Sequence, residues 1–393
     1  MDKDKIYDVV VIGAGIHGAG VAQAACTQGW SVAVVDQHSG AAAETSSKSS
    51  KLIHGGLRYL ESMQFELVRE CLRERALLCK LAPELVHMRS FIIPLLPSNK
   101  RGTAILYLGL LLYWAMSGFK RSQFPHRISA RHLAQKVPEL SAEKCRGALL
   151  YKDAQTDDHK LTNAVLNSAK KMGADTYFDH EVRRVNQTGD FFKIEFNGEH
   201  EPLITRSLVN AAGPWVNSVA EKIHPPVPQH DIELVQGSHI ILRRPAPAFC
   251  VYCESPEDSR PVFVLPWYGQ TLIGTTELPQ GHEPKDIAAT DQEIQYLLDT
   301  YNKYFPQQRA SKKDLAGSFA GLRVLPIGSD SVNKRSRETV LITRISSPSY
   351  IGIYGGKLTA YRLTALKVVE QLALKLPTQH QTRSTDTLML ASN

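Results

Sequence analysis

The sequence predicts a mixed α/β fold with two domains. An apolar run at residues 8–12 leads into a glycine-rich turn, as the first strand of a parallel sheet does. Residues 239–242 and 261–264 belong to a β-rich stretch typical of antiparallel strands. Hydrophobic residues make up 43% of the 393 residues and charged residues 22%, so the chain can fold around two sizeable cores.

The glycine-rich turn at residues 13–18 has the spacing of a dinucleotide-binding βαβ unit. In such a unit Gly13 allows the tight turn, Gly15 lets the backbone approach a pyrophosphate, and Gly18 lets the helix pack close to the strand. The N–H groups at the helix start attract phosphates, and Asp36 at the end of the second strand can accept from a ribose hydroxyl. The pattern predicts Rossmann-like binding of a dinucleotide but does not say which one.

Residues 45–60 combine small hydroxyl side chains with paired glycines, which suits a chain that lies along a long cofactor. Arg58 and Tyr59 follow the glycines, so a cation and a neutral donor come near the reactive end. This segment resembles that of the FAD-dependent glycerol-3-phosphate dehydrogenases, the respiratory, membrane-associated kind. Further segments similar to this family follow in the expected order, at residues 209–215, 237–239, 263–267, 273–276, 321–323 and 355–359.

The resemblance implies a Rossmann-like FAD-binding domain with an antiparallel-sheet substrate domain, as in the superfamily of D-amino-acid oxidase and glutathione reductase. The expected division is a discontinuous FAD-binding domain at residues 1–90, 146–222 and 317–376, a helical insertion at 91–145, a substrate domain at 223–316 and a polar tail at 377–393. Many members of the family carry a helical C-terminal domain, and the tail leaves no room for one, so we expect a short form. Helices are expected at residues 160–172 and 292–305.

The resemblance also implies the activity: oxidation of sn-glycerol 3-phosphate to dihydroxyacetone phosphate by hydride transfer to flavin N5, with electrons passing to a membrane quinone. FAD is expected to be non-covalently bound, and Lys357 would place positive charge near flavin N1. The residues expected to contact the cofactor are Gly13, Gly15, Ile16, His17, Gly18, Asp36, Thr45, Ser46, Ser47, Ser50, Lys51, Leu52, Val182, Ala211, Ala212, Gly213, Gly321, Gly355, Gly356, Lys357, Leu358 and Thr359.

A phosphate ester favours arginine ligands, because the planar guanidinium binds oxyanions bidentately. The expected substrate ligands are Arg58, Tyr59, His239, Arg323, Arg337 and Lys357. Arg337 has an alternative interpretation, since residues 334–337 could form a solvated basic loop. His239 and His54 compete for the role of general base, because imidazole titrates near neutral pH. The expected catalytic residues are His239, Arg323, Lys357 and His54.

Two positions depart from the family pattern. Many members have asparagine where this chain has His17, and Ala-Arg where it has His159-Lys160. The first change bears on substrate identity, so two alternatives stay open. One is another flavin enzyme, acting on an amino acid or a 2-hydroxy acid, and the other is a non-catalytic flavin-binding protein.

The net charge of +7 and the isoelectric point of about 9.0 favour anionic partners, such as a phosphate ester or acidic lipids. The basic residues are scattered, so no nucleic-acid partner is expected. The pair Cys250 and Cys253 lacks the second pair that a zinc site would need, so no metal is expected. The charged residues 1–5 predict no signal peptide and a cytoplasmic location. A homodimer is one option for the oligomer.

Residues 102–119 carry no charge and are flanked by two basic residues on each side. A spanning helix needs about 20 apolar residues, so the run is of borderline length. A membrane span here would also divide the flavin-binding fold, so none is expected. The run could be a buried core helix. It could also lie in the membrane interface, with basic flanks on the headgroups and Tyr107, Tyr113 and Trp114 at the boundary. The resemblance favours the second alternative and a peripheral position on the inner face of the cytoplasmic membrane.

Overall fold

A computed structural model of the chain describes residues 5–97, 99, 101–140, 145–245, 248–280, 284, 287–327, 339–377 and 383–391. Its strands are β1 (Ile6–Ile12), β2 (Val32–Val35), β3 (Leu52–Ile53), β4 (Val86–Pro94), β5 (His126–Ile128), β6 (Ala148–Thr156), β7 (Asp175–Tyr177), β8 (Val182–Thr188), β9 (Phe191–Phe196), β10 (Leu203–Asn210), β11 (Ile223–His224), β12 (Ile232–Leu242), β13 (Cys250–Glu254), β14 (Pro261–Trp267), β15 (Gln270–Gly274), β16 (Leu278–Pro279), β17 (Leu315–Pro326), β18 (Val340–Arg344) and β19 (Ser349–Tyr354). Its helices are α1 (Ile16–Thr27), α2 (Phe65–Leu81), α3 (Thr103–Met116), α4 (Ala130–Lys136), α5 (Asp158–Lys171), α6 (Val216–Glu221), α7 (Asp291–Tyr304) and α8 (Tyr361–Leu372).

The first sheet has the strand order β11-β8-β9-β10-β1-β2-β7, and β19 joins β10 and carries β18. The pairs β1–β10, β1–β2, β2–β7 and β10–β19 are parallel. The segment β1-α1-β2 is therefore the predicted βαβ unit. Helix α1 is rich in alanine and glycine and buried almost throughout, because it packs against both α5 and α8. Small side chains let the helices approach closely in this core.

The second sheet has the order β16-β12-β15-β14-β13-β4-β6-β3, with β17 on β12 and β5 on β6. Its pairs are antiparallel except β13–β4. Helix α7 covers it, and Leu297 and Tyr301 pack against Ile240, Val264 and Ile273 in a second core. The two sheets confirm the predicted fold class. Helices α5 and α7 lie within two residues of their expected ranges.

The strand pairing differs from the expected division in several places. Strand β3 lies in the range 1–90 but pairs in the second sheet. Strand β6 lies in the range 146–222 and β17 overlaps the range 317–376, both expected in the FAD-binding domain. In the structure both pair in the second sheet. An apolar run predicts a strand but not its partner, because the partner is decided by distant segments that cover the sheet. The division into domains stays a prediction.

Helix α3 occupies most of the uncharged run but is only 14 residues long. Leu106, Leu110 and Tyr113 pack inward, while Ile105 and Leu108 face out, with Leu108 68% exposed. The helix is therefore not buried on all sides. Within the described parts of the chain, no helix is long and apolar enough to cross a bilayer.

Candidate active site

Residues of both sheets line a cleft with a volume of about 420 Å³. The cleft brings together most of the residues predicted from the sequence, from both the cofactor and the substrate sets. These are Gly13, Gly15, Ile16, His17, Asp36, Thr45, Ser46, Ser50, Leu52, His54, Arg58, Tyr59, Val182, Ala211, Ala212, Gly213, His239, Gly321, Arg323, Gly355, Gly356, Lys357, Leu358 and Thr359. Arg337 lies outside the described residues.

Three of the expected cofactor residues do not line the cleft. Gly18 packs on the carbonyl oxygen of Gly13, where any side chain would collide. The Ser47 hydroxyl donates to the carbonyl of Glu44. Lys51 donates to the Ser47 carbonyl, and its Nζ lies 2.6 Å from Oδ1 of buried Asp158. These contacts hold the irregular segment in place, and the sequence could not show which of its side chains turn inward.

The glycine turn has the geometry that a dinucleotide requires. Gly13 has φ +104°, and a Cβ there would lie 2.5 Å from the carbonyl oxygen of Ala211. Only glycine tolerates both the conformation and the contact. The Asp36 carboxylate accepts from the backbone N–H of Ala14 at 2.6 Å and of His38 at 2.9 Å. Each carboxylate oxygen has a second lone pair, so Asp36 can also accept from a ribose hydroxyl.

Lys357 shows that the cleft suits a cofactor with acceptor atoms. Its Nζ is buried and makes no hydrogen bond to any described residue. The ammonium lies 3.7 Å from the centroid of the Tyr59 ring, so a cation–π contact stabilises its charge. A buried ammonium without acceptors is unfavourable, and a group that presents oxygen or nitrogen acceptors would relieve this. The residues present therefore fit FAD: the glycine turn and Asp36 would hold the nucleotide, and Lys357 would meet the flavin.

Arg323 is held in the cleft by polar partners. Its Nη2 donates to Oγ1 of Thr275 at 2.9 Å, and Nη1 lies 3.5 Å from Oε1 of Glu277. Glu277 also pairs with Arg260 at 2.6 Å. Gly237 makes this possible, because a side chain there would overlap the guanidinium. The result is an anchored guanidinium on the cleft wall, suited to an oxyanion.

His239 is 1% exposed on β12. Its Nε2 lies 3.0 Å from the Ser50 hydroxyl, and the ring stacks on Phe319 with centroids 4.8 Å apart. Burial lowers the pKa of the imidazole well below its ordinary value, and the charges of Arg323 and Lys51 lower it further. The imidazole is therefore neutral at physiological pH, the state that a general base needs.

His54 also reaches the cleft. Its backbone N–H donates to Oγ1 of Thr359 at 3.1 Å, and that hydroxyl donates back to the His54 carbonyl at 3.3 Å. These bonds join the loop of residues 54–60 to the segment after Lys357. That loop is called the substrate loop below, because it carries the expected ligands Arg58 and Tyr59. The structure thus brings both candidate bases to one cleft, and the choice between them stays a prediction.

A buried relay of polar groups supports the loop that carries Arg58 and Tyr59. The N–H of Gly55 donates to the Tyr113 hydroxyl at 2.7 Å, and this hydroxyl donates to Oδ2 of Asp153 at 2.8 Å. Oδ1 of Asp153 accepts from buried Arg75 at 2.7 Å. Helix α3 thereby contacts the substrate loop directly through Tyr113.

Sequence reasoning missed several residues of the cleft. Thr275 and Glu277 lie in or beside residues 273–276, a segment similar to the family, so their position is a usable signal. Arg260 and Asp153 stand in no motif, and only the folded chain brings them to the cleft. Among the described residues, no group of three histidine, cysteine, aspartate or glutamate side chains is placed to hold a metal ion.

The fold and the cleft define an FAD-dependent oxidoreductase. Residues 8–362 match the family described as DAO, FAD dependent oxidoreductase, and the chain belongs to that family. Within it, the chain is a member of the glycerol-3-phosphate dehydrogenases. It is 36% identical to glycerol-3-phosphate dehydrogenase of Pseudomonas aeruginosa, over 94% of this chain and 72% of the relative. The resemblance inferred from the sequence and FAD as the cofactor are both confirmed.

Two further proteins are informative. The chain is 31% identical to D-erythritol 1-phosphate dehydrogenase of Brucella abortus, over 95% of this chain and 74% of the relative. Among solved structures it is similar to glycerol-3-phosphate dehydrogenase of Bacillus halodurans complexed with FAD. That match has a TM-score of 0.76 and 25% identity, and covers 99% of this chain and 68% of the other.

Proposed function

We propose that this enzyme oxidises sn-glycerol 3-phosphate to dihydroxyacetone phosphate and passes the electrons to a membrane quinone. The observation that carries the proposal is the cleft itself, which is lined by Arg58, Arg323 and Lys357 together with the neutral His239. Both relatives described above are named as dehydrogenases of a phosphorylated polyol. A cationic wall suits the phosphate, and the neutral imidazole suits removal of a hydroxyl proton.

Each residue has a distinct role in this proposal. Arg58 and Arg323 bind the phosphate, with Tyr59 as a neutral donor, and Arg337 remains a predicted further ligand. His239 takes the proton of the secondary hydroxyl. If its Nε2–H donates to Ser50, then Nδ1, which has no hydrogen-bond partner among the described residues, carries the lone pair that accepts this proton. When bound, FAD supplies the two-electron oxidation by accepting a hydride at N5.

The quinone acceptor and a peripheral position on the inner face of the cytoplasmic membrane are part of the same proposal. The exposed apolar face of α3 supports them, since Ile105, Leu108 and Leu112 are all exposed. Met63 and Phe65, at the start of α2, are exposed as well, and α2 packs on α3. Apolar surface of this kind marks membrane or partner contacts, and the net charge of +7 favours anionic headgroups. A homodimer is compatible with this arrangement.

The decisive experiment is anaerobic addition of sn-glycerol 3-phosphate to the purified flavoprotein, followed by the visible absorbance of the oxidised flavin. We expect rapid bleaching, and readmission of air then separates an oxidase from a dehydrogenase that needs a quinone. D-Erythritol 1-phosphate serves as the matched substrate with one carbon more. Bleaching by an amino acid or a 2-hydroxy acid, but by neither phosphate ester, would overturn the proposal.

A further inference from the structure

The buried carboxylate of Glu293 is outside the residues expected to bind substrate or cofactor, yet it is unusually well hydrogen-bonded. It is 6% exposed, in the first turn of α7. In an ordinary capping box the glutamate only reaches back to the N-cap residue. Here Oε2 accepts from the N–H and the hydroxyl of Thr290, each at 3.0 Å, and also from Nε2 of Gln236 at 2.7 Å.

The other oxygen of Glu293 contacts two more segments. Oε1 accepts from the Ser238 hydroxyl at 2.7 Å and from the Thr276 hydroxyl at 2.6 Å. Thr276 Oγ1 in turn accepts from the backbone N–H of Ser238 at 2.8 Å. One carboxylate thus joins the start of α7, the middle of β12 and the segment after β15.

The partners of Glu293 alternate with residues that line the cleft. Gln236 and Ser238 bond to Glu293, whereas Gly237 and His239 line the cleft, as the two-residue period of a strand requires. Gly237 leaves the space that the Arg323 guanidinium occupies.

The segment after β15 also links Glu293 to Arg323. Thr276 bonds to Glu293, while the preceding residue, Thr275, accepts from Arg323. Gln236, Ser238 and Thr276, the partners of Glu293 outside α7 and its cap, are each adjacent in sequence to Gly237, His239 or Thr275. Gly237 and Thr275 lie against Arg323.

Glu293 is well suited to a fixed role because it stays ionised. Burial alone would raise its pKa, but hydrogen bonds from Thr276, Thr290 and Ser238 together lower the pKa below its ordinary value. The helix N-terminus favours the negative charge as well. All five contacts are hydrogen bonds donated to the carboxylate, so both of its oxygens are held by neighbouring protein groups.

We propose that Glu293 is a positioning residue of the substrate site: it clamps β12 to the Thr275–Thr276 segment and so fixes the spacing between His239 and Arg323. The inference rests on the proposed function for the identity of the substrate. Oxidation of a bound alcohol needs its phosphate and its hydroxyl held at a set separation, and a displacement of about 1 Å can reduce the rate by up to 10²-fold.

The test compares Glu293→Gln with Asp291→Asn. Asp291 lies in the same helical turn but is exposed and pairs with Lys312 on the surface. For Glu293→Gln we expect unchanged FAD content and a flavin reduction rate by saturating sn-glycerol 3-phosphate about tenfold lower or more. Binding of inorganic phosphate to the oxidised protein, followed by calorimetry, should weaken as well. Asp291→Asn should leave both quantities at the wild-type value.

A double-mutant cycle separates positioning from a merely structural role. If Glu293 acts through the Arg323 site, its substitution should weaken phosphate binding much less in an Arg323→Ala background than in the wild type. Equal losses in both backgrounds, or a Glu293→Gln protein that reduces flavin and binds phosphate like the wild type, would overturn the proposal. If Glu293→Gln does not fold, Ser238→Ala removes a single donor and should show the same losses in smaller measure. A Ser238→Ala protein with wild-type values would then overturn it.

The two proposals fail separately. Wild-type flavin that sn-glycerol 3-phosphate does not bleach would contradict the proposed function. The phosphate-binding measurements would still decide the role of Glu293.

Discussion

At the scale of single residues, Arg323 is the most direct test of a phosphate site. Its guanidinium is fixed by Thr275 and Glu277, and Glu277 keeps Arg260 as a second partner. Removal of Arg323 therefore leaves the surrounding ion pair largely intact. We expect Arg323→Ala to raise the KM for sn-glycerol 3-phosphate by about 10- to 100-fold, the equivalent of one lost charge-assisted interaction of ~1.5–3 kcal/mol. Flavin content should hardly change.

The matched variant is Arg323→Lys, which keeps the charge but loses the planar fork. It should lie between the wild type and Arg323→Ala in steady-state assays. A parallel fall in flavin content and substrate affinity for Arg323→Ala would instead indicate that the residue supports the fold.

His17 gives a pH-dependent prediction at the same scale. Burial lowers the pKa of its imidazole from 6.5 to about 4. Between pH 6.5 and pH 4 the imidazole is therefore protonated in the unfolded chain but neutral in the folded protein. Stability from this group is complete above pH 6.5 and is lost as the pH falls towards 4. The slope is about 1.4 kcal/mol per pH unit.

The free energy of unfolding should fall between pH 7 and pH 5 in both proteins, but by about 2 kcal/mol less in His17→Asn than in the wild type. It is measured in urea on the FAD-free protein. The comparison of two proteins at two pH values cancels the contribution of buried His239. Identical acid sensitivity in both proteins would show that His17 is hydrated or paired in solution.

At the scale of elements, α3 joins the surface to the site. Its inner side carries Tyr113, which accepts from the Gly55 N–H of the substrate loop, while its outer side exposes leucine and isoleucine. The outer face is unlike α1, α5, α7 and α8, on which no large apolar side chain is exposed. A single exposed leucine that enters a bilayer interface contributes about 1.5–3 kcal/mol.

Leu108→Ser should consequently weaken co-sedimentation with vesicles of anionic lipid by about tenfold or more. The chain offers a matched control, since Leu374 is 67% exposed and Leu108 68%. Leu374→Ser, which follows α8 and leaves α3 unchanged, should bind vesicles like the wild type. Equal effects of the two substitutions would argue against a specific role of α3 in membrane contact.

At the scale of the whole molecule, local patterns were the predictable part. The βαβ unit follows from the spacing of Gly13, Gly15 and Gly18 and from the apolar strands beside them, because its contacts are close in sequence. The sheet membership of β6 and β17 did not follow, since it depends on partners far along the chain. Lys51 illustrates the same limit, because its buried partner Asp158 is 107 residues away.

The candidate site also contains one part that the sequence predicts and one part that it does not. The residues within the glycine and hydroxyl segments were predictable, because their chemistry is local to a motif. The Glu293 clamp and the Tyr113 relay were not, since each is a hydrogen-bonded network among elements that only the folded chain brings together. A carboxylate in a helix cap looks in sequence like any other cap, and burial with further donors gives it another function.

Arg362 carries the last prediction, because it joins three distant parts of the molecule. From α8 it forms a bidentate pair with Glu74 of α2 at 2.7 and 2.9 Å, and it also donates to Thr385 and Asp386 near the C-terminal end of the described chain. Both members of the Arg362–Glu74 pair are buried. Removal of one leaves the other charge without its partner in the interior, which typically costs about 3–5 kcal/mol.

Arg362→Leu should therefore lower the free energy of unfolding by about 3–5 kcal/mol, measured by denaturant titration. The double variant Arg362→Leu/Glu74→Leu should recover a large share of that loss, because it removes the unpaired carboxylate and replaces both charges with apolar groups. A double variant no more stable than the single one would show that the unpaired Glu74 carboxylate is not the cause of the loss.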